Sequence, residues 1–504
     1  MASQLKKGVV LSYARVVFNA LAGLLYTPWL IACIGSSDYG LYTLAISVIN
    51  MFLLDFGLGS AVSRFLSKYK VEGDWDDAAV FLGIVYRVYF IIDIVILMVL
   101  VAGYFLIAAI YANLTVEELR KFQVLYMIVA LYSVLSFPML SFDGILNSEE
   151  KFVAWKGLDL LERITNVALI VVFLLLGYGV FALVFTNALT VLVFRCLKFL
   201  VIKRSTNVHV RFGVQNSKLT KELVSFSVWT TAVSISQRMI FAIMPSILAA
   251  LSNSWEIALF GLVVSLEGNF YGVAAALGNV FMTRVSRALV SENAGNQLQV
   301  LMTKVGRVQL FILGAIFVGF IGIGRLFVAC WVGGEFSMLY ACTILVLIPS
   351  MIESPEIVGD TAITAAGAMK QKALIYLAMA ITNIGTGIFL VGPYGALGGC
   401  VSICIAYCVR TIGMNVLYAS ILNLQIGRFF RDVYGRWPIP AVLTVGFTFA
   451  FDWIIAPVGW LGVLIELTVV TVLYLIFTWI LFLAPTEKKK MMSFIEMHIG
   501  GSKK

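Results

Sequence analysis

Apolar runs recur along this chain from residue 9 to residue 484, with only short polar breaks between them. Each run reaches the roughly 18 residues that a helix needs to cross the hydrocarbon core of a bilayer. That one feature predicts an all-α integral membrane protein. Composition agrees, with 61% hydrophobic and 12% charged residues against about 25% charged in soluble domains. No stretch is long and polar enough to form a separate soluble domain.

Fourteen candidate spans follow, at 9–34, 39–63, 78–110, 121–142, 152–176, 179–202, 222–251, 257–282, 308–332, 338–362, 373–391, 394–420, 438–456 and 460–484. Clusters of Gly, Pro, Asn and Ser punctuate them: GSSD, LGYG, SNS, VGPYG and APVG. Lys6 and Lys7 precede the first run as in a signal peptide, but Arg15 and Asn19 lie inside it and it exceeds a usual signal core, so it reads as an uncleaved helix. If the N-terminus is cytoplasmic, 27 Lys and Arg fall on the cytoplasmic side and 3 on the other, with Arg15, Arg87, Arg163, Arg195, Arg238 and Arg410 left inside spans. The split predicts cytoplasmic termini by the positive-inside rule. The net charge of +9 then faces anionic lipid headgroups, and no nucleic acid need be invoked.

The seven cysteines show no zinc spacing. Cys400, Cys404 and Cys408 share one helix face and read as small residues at a helix contact. No metal or cofactor is expected.

The chain repeats itself. Ile164-Thr165-Asn166 recurs as Ile381-Thr382-Asn383, each followed by an apolar run and a glycine turn, and SRFLS at 63–67 answers TRVSR at 283–287. Six spans per repeat is an even number, so the repeats are parallel. The expected domains are a six-helix lobe at 1–215, a second at 216–432, and two further helices with a basic tail at 433–504.

A charge at mid-bilayer costs roughly 2.5–3.5 kcal/mol, so it needs a partner or a hydrated cavity. The intramembrane acids are Asp55, Asp93, Glu267, Glu353, Glu356, Asp360 and Glu466. Arg163 adjoins Glu162 and follows Asp159 by four residues, which reads as a structural ion pair. Arg195 and Arg410 stand near span ends, where long side chains snorkel. Arg15, Arg238, Asp55 and Glu267 are the strongest functional candidates, with Asn19, Gln237 and Asn269 as polar neighbours. In MFLLDFGLGSAVSRF, residues 51–65, an acid and two glycines interrupt a span. Gly57 and Gly59 permit a bend or close helix approach there, and Asp55 is tolerable beside a hydrated cavity.

The stretch IGSSDYGLYTLAISVINMFLLDFGLGSAVSRFLSK, residues 34–68, resembles the start of the polysaccharide-transporter flippases, the Wzx-type or O-antigen translocases. Gly35, Tyr39-Gly40, Asp55, Gly57, Gly59 and Arg64 carry the likeness, and the topology extends it along the chain. The resemblance implies two lobes around a central cavity. It implies a polyprenyl-diphosphate-linked oligosaccharide as substrate, moved to the outer leaflet of the bacterial inner membrane for O-antigen, capsule or exopolysaccharide synthesis. Polysaccharide polymerase and chain-length proteins would be partners. The expected substrate contacts are Arg15, Asn19, Arg238, Gln237, Asn269, Arg64 and Arg284, since guanidinium forks suit phosphate oxygens. Asp55, Glu267, Asp93 and Glu353 are the ion-coupling candidates.

No GxxxxGK[ST] loop is present, so an ion gradient rather than ATP is the expected energy source. A drug or metabolite exporter of the same superfamily is the alternative; it predicts a dominant acidic cluster, against the excess of intramembrane arginine. A membrane polymerase or acyltransferase is disfavoured. The external loops are short, and the two histidines, His209 and His498, build no catalytic constellation.

Overall fold

The computed structural model describes residues 2–53, 56–206, 208–213, 217–279, 282–289, 293–485 and 487–489. Every regular element among them is helical. In chain order these are α1 (Ala2–Ile34), α2 (Ser36–Phe52), α3 (Leu58–Glu72), α4 (Trp75–Ile110), α5 (Val116–Ser136), α6 (Ser141–Ser148), α7 (Phe152–Leu175), α8 (Gly179–Ser205), α9 (Ser217–Ala242) and α10 (Met244–Leu251). There follow α11 (Ser254–Asn279), α12 (Met282–Leu289), α13 (Ala294–Trp331), α14 (Met338–Glu353), α15 (Ile357–Ala365), α16 (Met369–Leu422), α17 (Ile426–Tyr434), α18 (Pro438–Ile455) and α19 (Gly459–Leu481).

Among the described residues, eleven segments are long and apolar enough to cross a membrane. The shortfall of three from the fourteen expected spans has local reasons. The second is broken into α2 and α3, so neither piece alone is long enough. The fifth, α7, carries Lys156, Asp159, Glu162 and Arg163. The eleventh and twelfth run together as α16 across a kink at Gly395, where φ is 54°. A Cβ at Gly395 would also strike the Glu256 carboxylate, which accepts the Ala396 N–H at 2.8 Å. Glycine is required there on both counts.

The break in MFLLDFGLGSAVSRF is explained by the backbone. Phe56 and Gly57 take positive φ values of 50° and 67°, ending one helix and starting the next. Gly57 supplies the left-handed turn at least cost. The carbonyl of Gly59 then lies where a Cβ on Gly144 would sit, so α3 and α6 pack backbone to backbone. From α9, Thr231 Oγ1 donates to the Phe56 carbonyl at 2.6 Å and Arg238 Nη1 to the Leu53 carbonyl at 3.4 Å. Carbonyls freed by the break thus gain partners, as a membrane interior demands. Asp55 itself lies outside the described residues.

The chain divides into two compact units, one formed by Met1–Ser265 with Met369–Arg410, the other by Leu266–Ala368 with Thr411–Lys504. The first holds α1–α10, the start of α11 and the first part of α16. Its helices are amphipathic in an inverted sense. On α4, Tyr89, Asp93, Ile96, Leu100 and Ile107 face inward while Phe90, Ile94, Met98 and Phe105 face out, as lipid contact requires. The second unit ties its last helices to α13 through Arg307. That guanidinium grips Glu487 through two bonds of 2.8 Å and donates to the carbonyls of Asp432 (2.9 Å) and Phe482 (2.7 Å). The bidentate fork is the strong geometry for such a pair.

The repeated ITN motif has the same task in both places. Asn166 on α7 donates to Thr190 on α8 at 2.9 Å. Asn383 on α16 accepts from Ser402, further along α16 beyond the kink, at 3.1 Å, and donates to the Ile240 carbonyl at 3.0 Å.

Candidate functional site

The first unit contains a buried charged cluster built by four helices. Lys198 of α8 donates to Asp143 of α6 at 2.7 Å and to Asp159 of α7 at 2.8 Å. Arg15 of α1 reaches the other oxygen of Asp159 at 3.2 Å, and Lys156 stands 3.8 Å from it. Glu162 and Arg195 complete the walls of a cavity of about 160 Å³ lined by Arg15, Asp143, Asp159 and Lys198. Arg15 also borders a second cavity of about 320 Å³, shared with Ser12, Asn19 and Lys156. Lys198 and Asp159 are nearly sealed, with side chains 7% and 10% exposed. Charges so placed persist only when paired, because each alone would carry a desolvation penalty of several kcal/mol. Three cations (Arg15, Arg195 and Lys198) and three acids line this cavity, and Lys156 beside Asp159 gives the cluster as a whole one cation more than its acids.

Several expectations change here. Arg163 does not pair with Asp159; its Nε donates to Asn19 at 2.9 Å, and Asp159 is held by Arg15 and Lys198. The i, i+4 spacing is outcompeted by partners from α1 and α8. Arg195 and Arg410 do not snorkel. Arg195 donates to the Ser136 carbonyl, and Arg410, 1% exposed, lies against Tyr376, its Nε donating to the hydroxyl at 3.3 Å. Lys198, included above in the cytoplasmic-side count, is a buried cation within α8. Its closeness to Lys203 and Arg204 disguised it; the acids at 143 and 159 on neighbouring spans were the available signal.

Of the expected substrate contacts, Arg15 and Asn19 meet at these cavities. Gln237 and Arg238 are exposed on α9, with Arg238 reaching the Leu53 carbonyl. Arg64 is exposed on α3. Asn269 is half-buried on α11. Arg284 falls on α12, its side chain outside the described set. Among the ion-coupling candidates, Glu267 is buried and accepts from Ser350 at 3.1 Å, and Glu353 ends α14. Asp93 is buried on α4, within the first unit.

A second feature, unexpected from the sequence, lies at one end of the first unit. Glu118 caps α5 by accepting the Thr115 N–H at 2.9 Å while its Oε1 accepts from Ser37 of α2 at 2.5 Å and from Ser254 of α11. Lys121 pairs with Asp38 at 3.1 Å. Tyr111 donates to Ser246 at 3.2 Å, and Asn113 to the Ala250 carbonyl at 2.6 Å. Close helix approach makes this possible. A Cβ on Gly40 would collide with the Ser254 carbonyl, and one on Gly261 would lie 2.5 Å from Thr43 Oγ1. These contacts clamp α2 and α5 to α10 and α11.

Comparison with known proteins adds the following. The sequence profile of the family described as "Polysaccharide biosynthesis protein" matches residues 5–290, more than half of the chain. No curated protein is similar enough to count as a relative. Among solved structures, the lipid II flippase MurJ in an inward closed conformation is similar with a TM-score of 0.74 at 17% identity, over 94% of this chain and 98% of that one. An inward-facing multidrug resistance MATE family transporter of the MOP superfamily gives 0.64 at 14% identity, over 82% and 99%. A MOP superfamily transporter from Pyrococcus furiosus gives 0.55 at 14% identity, over 85% and 95%. At these identities the likeness establishes the fold.

Proposed function

Because the chain belongs to the polysaccharide biosynthesis protein family, and has the fold of MOP superfamily transporters, we propose that it is a flippase for a polyprenyl-diphosphate-linked oligosaccharide. The observation that carries this reading is the surplus of one cation in the cluster around Arg15, where Lys198 is buried and Arg15, Lys156 and Arg195 are partly exposed. A diphosphate headgroup replaces Asp143 as counter-charge to Lys198 and joins Asp159 as counter-charge to Arg15. Arginine offers two parallel donors to phosphate oxygens, and lysine a point charge.

The positive-inside split places the termini in the cytoplasm, so the Glu118 clamp closes the outward end. The protein alternates between this arrangement and one with the clamp open, driven by an ion gradient. Asp55, Asp93, Glu267 and Glu353 remain the coupling candidates. In this reading the membrane is the bacterial inner membrane, the product feeds a surface polysaccharide, and a polymerase and chain-length proteins receive it. The lobes at 1–215 and 216–432 are its moving parts, with 433–504 appended. It catalyses no covalent chemistry. The MATE likeness keeps a drug exporter as the competing reading.

The test uses a strain lacking its own flippase. Arg15→Ala should abolish most surface glycan at normal membrane abundance, and Arg15→Lys should restore it in part. Resistance to cationic drugs should not change. Normal glycan in the alanine variant defeats the diphosphate reading, and a gain or loss of drug resistance with it favours the exporter.

A further inference from the structure

Asp93 sits near the middle of α4, on the row that faces α5. It is 9% exposed, and its Oδ1 is sealed with no hydrogen-bond partner. On α5, the hydroxyl of Ser133, a residue with no exposed surface, likewise has no partner. Two buried orphans are uncommon, since such groups normally find partners.

The helix register brings the two orphans together. The rings of Tyr89 and Phe137 meet edge to face at 5.3 Å. Tyr126 donates to the Leu100 carbonyl at 3.0 Å. Between these two pins the helices run antiparallel. Asp93 is one turn beyond Tyr89, and Ser133 one turn before Phe137, so they stand level on facing helices.

No opposite charge answers Asp93. The elements packed on α4 are α3, α5, the turn Pro138–Leu140 and, near its start, the segment around Arg211, whose N–H donates to the Ala79 carbonyl at 3.0 Å. Their described charges are Arg211 in that segment, Arg64, Lys68, Lys70 and Glu72 on α3 and Glu117, Glu118, Arg120 and Lys121 in the first turns of α5; the turn has none. On α4 itself Asp76, Asp77 and Arg87 lie toward its start, and Arg87 is exposed. Arg195 of α8 reaches the Ser136 carbonyl, nearly a turn beyond Ser133. A metal ion would need more ligands than these two oxygens, and no group of three His, Cys, Asp or Glu side chains is found among the described residues. A single proton suffices. Bound to Asp93 from hydronium, it neutralises the carboxylate, so that no uncompensated charge is buried between α4 and α5.

We propose that Asp93 is a proton-binding site, and that α5 transmits its protonation state to the Glu118 clamp and the charged cavity. The proposal rests on the ion-coupled reading above and names the ion and its path. The geometry of α5 supplies that path. Near its start, Glu118 holds Ser37 and Ser254. Ser133 faces Asp93. At its end, the Ser136 carbonyl holds Arg195, which lines the charged cavity. With Asp93 protonated, α4 and α5 close on each other and the clamp stays made. When the proton returns to water, the carboxylate is left as a buried charge with no counter-ion. It must be hydrated, and α5 shifts, drawing Glu118 from Ser254.

The experiment needs no transported substrate. The full chain, with its native cysteines replaced by serine, carries spin labels at Ala112→Cys and Leu251→Cys, exposed positions on either side of the clamp. Distances are measured in lipid nanodiscs from mildly acidic to mildly alkaline pH. The expected result is one short distance in acid and a growing population of longer distances in alkali. Asp93→Asn, nearly isosteric and always neutral, should keep the short distance throughout, and Asp93→Glu should keep the pH response with a displaced midpoint. A wild-type distance that ignores pH, or an Asp93→Asn variant that follows wild type, overturns the proposal. A different cargo would defeat the Arg15 test and leave this response intact, so the two failures are distinguishable.

Discussion

Replacing Lys198 with methionine removes the buried cation that bridges α6, α7 and α8 while keeping the bulk of its side chain. Its two ion pairs, at 2.7 and 2.8 Å, are lost together. Removing one partner of a buried pair costs about 3–5 kcal/mol, because the other charge is stranded. Here the acids are not equally stranded. Asp143 has a side chain 46% exposed and can hydrate. Asp159, 10% exposed, cannot, but it keeps Arg15 at 3.2 Å. The cost therefore falls at the low end, about 3 kcal/mol, or about a hundredfold in the folding equilibrium. Reversible unfolding in mixed micelles, followed by tryptophan fluorescence, measures it. Asp159→Asn in the same background should recover at least about 1 kcal/mol as a coupling term. An exposed pair is the control: Asp432→Asn, which breaks the contact with Arg428 at 3.5 Å, should cost under about 1 kcal/mol. A Lys198→Met variant within about 0.5 kcal/mol of wild type, or strict additivity with Asp159→Asn, would refute the argument.

Gly40→Val places branched bulk against the Ser254 carbonyl, so it should hold the clamp open. In the spin-labelled chain the longer distance should dominate at every pH, and an unchanged short distance would show that the approach of α2 to α11 is not what closes this end. For topology, a reporter active only in the cytoplasm should work after Lys504 and stay silent after Asn253. The reverse pattern would invert the side on which the clamp lies.

Much of the architecture was legible in the sequence because hydrocarbon imposes a simple code. Long apolar runs become helices, and glycine turns separate them. The break at Gly57 was visible as a local contradiction, an acid and two glycines in a span, and the positive φ there bears that out. The kink at Gly395 was visible as VGPYG between two runs. The charged cluster was only half legible. Sequence spacing pairs neighbours along one helix, so it joined Arg163 to Asp159. The actual partners come from α1 and α8, and tertiary packing decides between them. Lys198 was hidden for a related reason, since a lysine near a span end looks solvated until acids on two other helices are seen to meet it. Glu118 was hidden by its ordinary local role. Its capping box with Thr115 accounts for it completely, and nothing in the sequence shows that its spare oxygen meets Ser37 and Ser254.

The proposed substrate gives the internal acids of the cluster a purpose beyond stability. A bare set of four clustered cations, one of them buried, would either destabilise the fold or bind a diphosphate too tightly to release it. With Asp143 and Asp159 already in place, an arriving headgroup exchanges one set of charge-assisted bonds for another of similar strength. The net gain is then a small difference between large terms, as with any hydrogen bond exchanged rather than created. Each cation retains a partner whether the site is loaded or empty. Asp143, half exposed and attached to the short helix α6, is the partner best placed to yield, because water can take over its charge when Lys198 turns to the phosphate. Asp159 is buried and held by both Lys198 and Arg15. It is the partner that stays and keeps α1, α7 and α8 assembled while the cargo is exchanged.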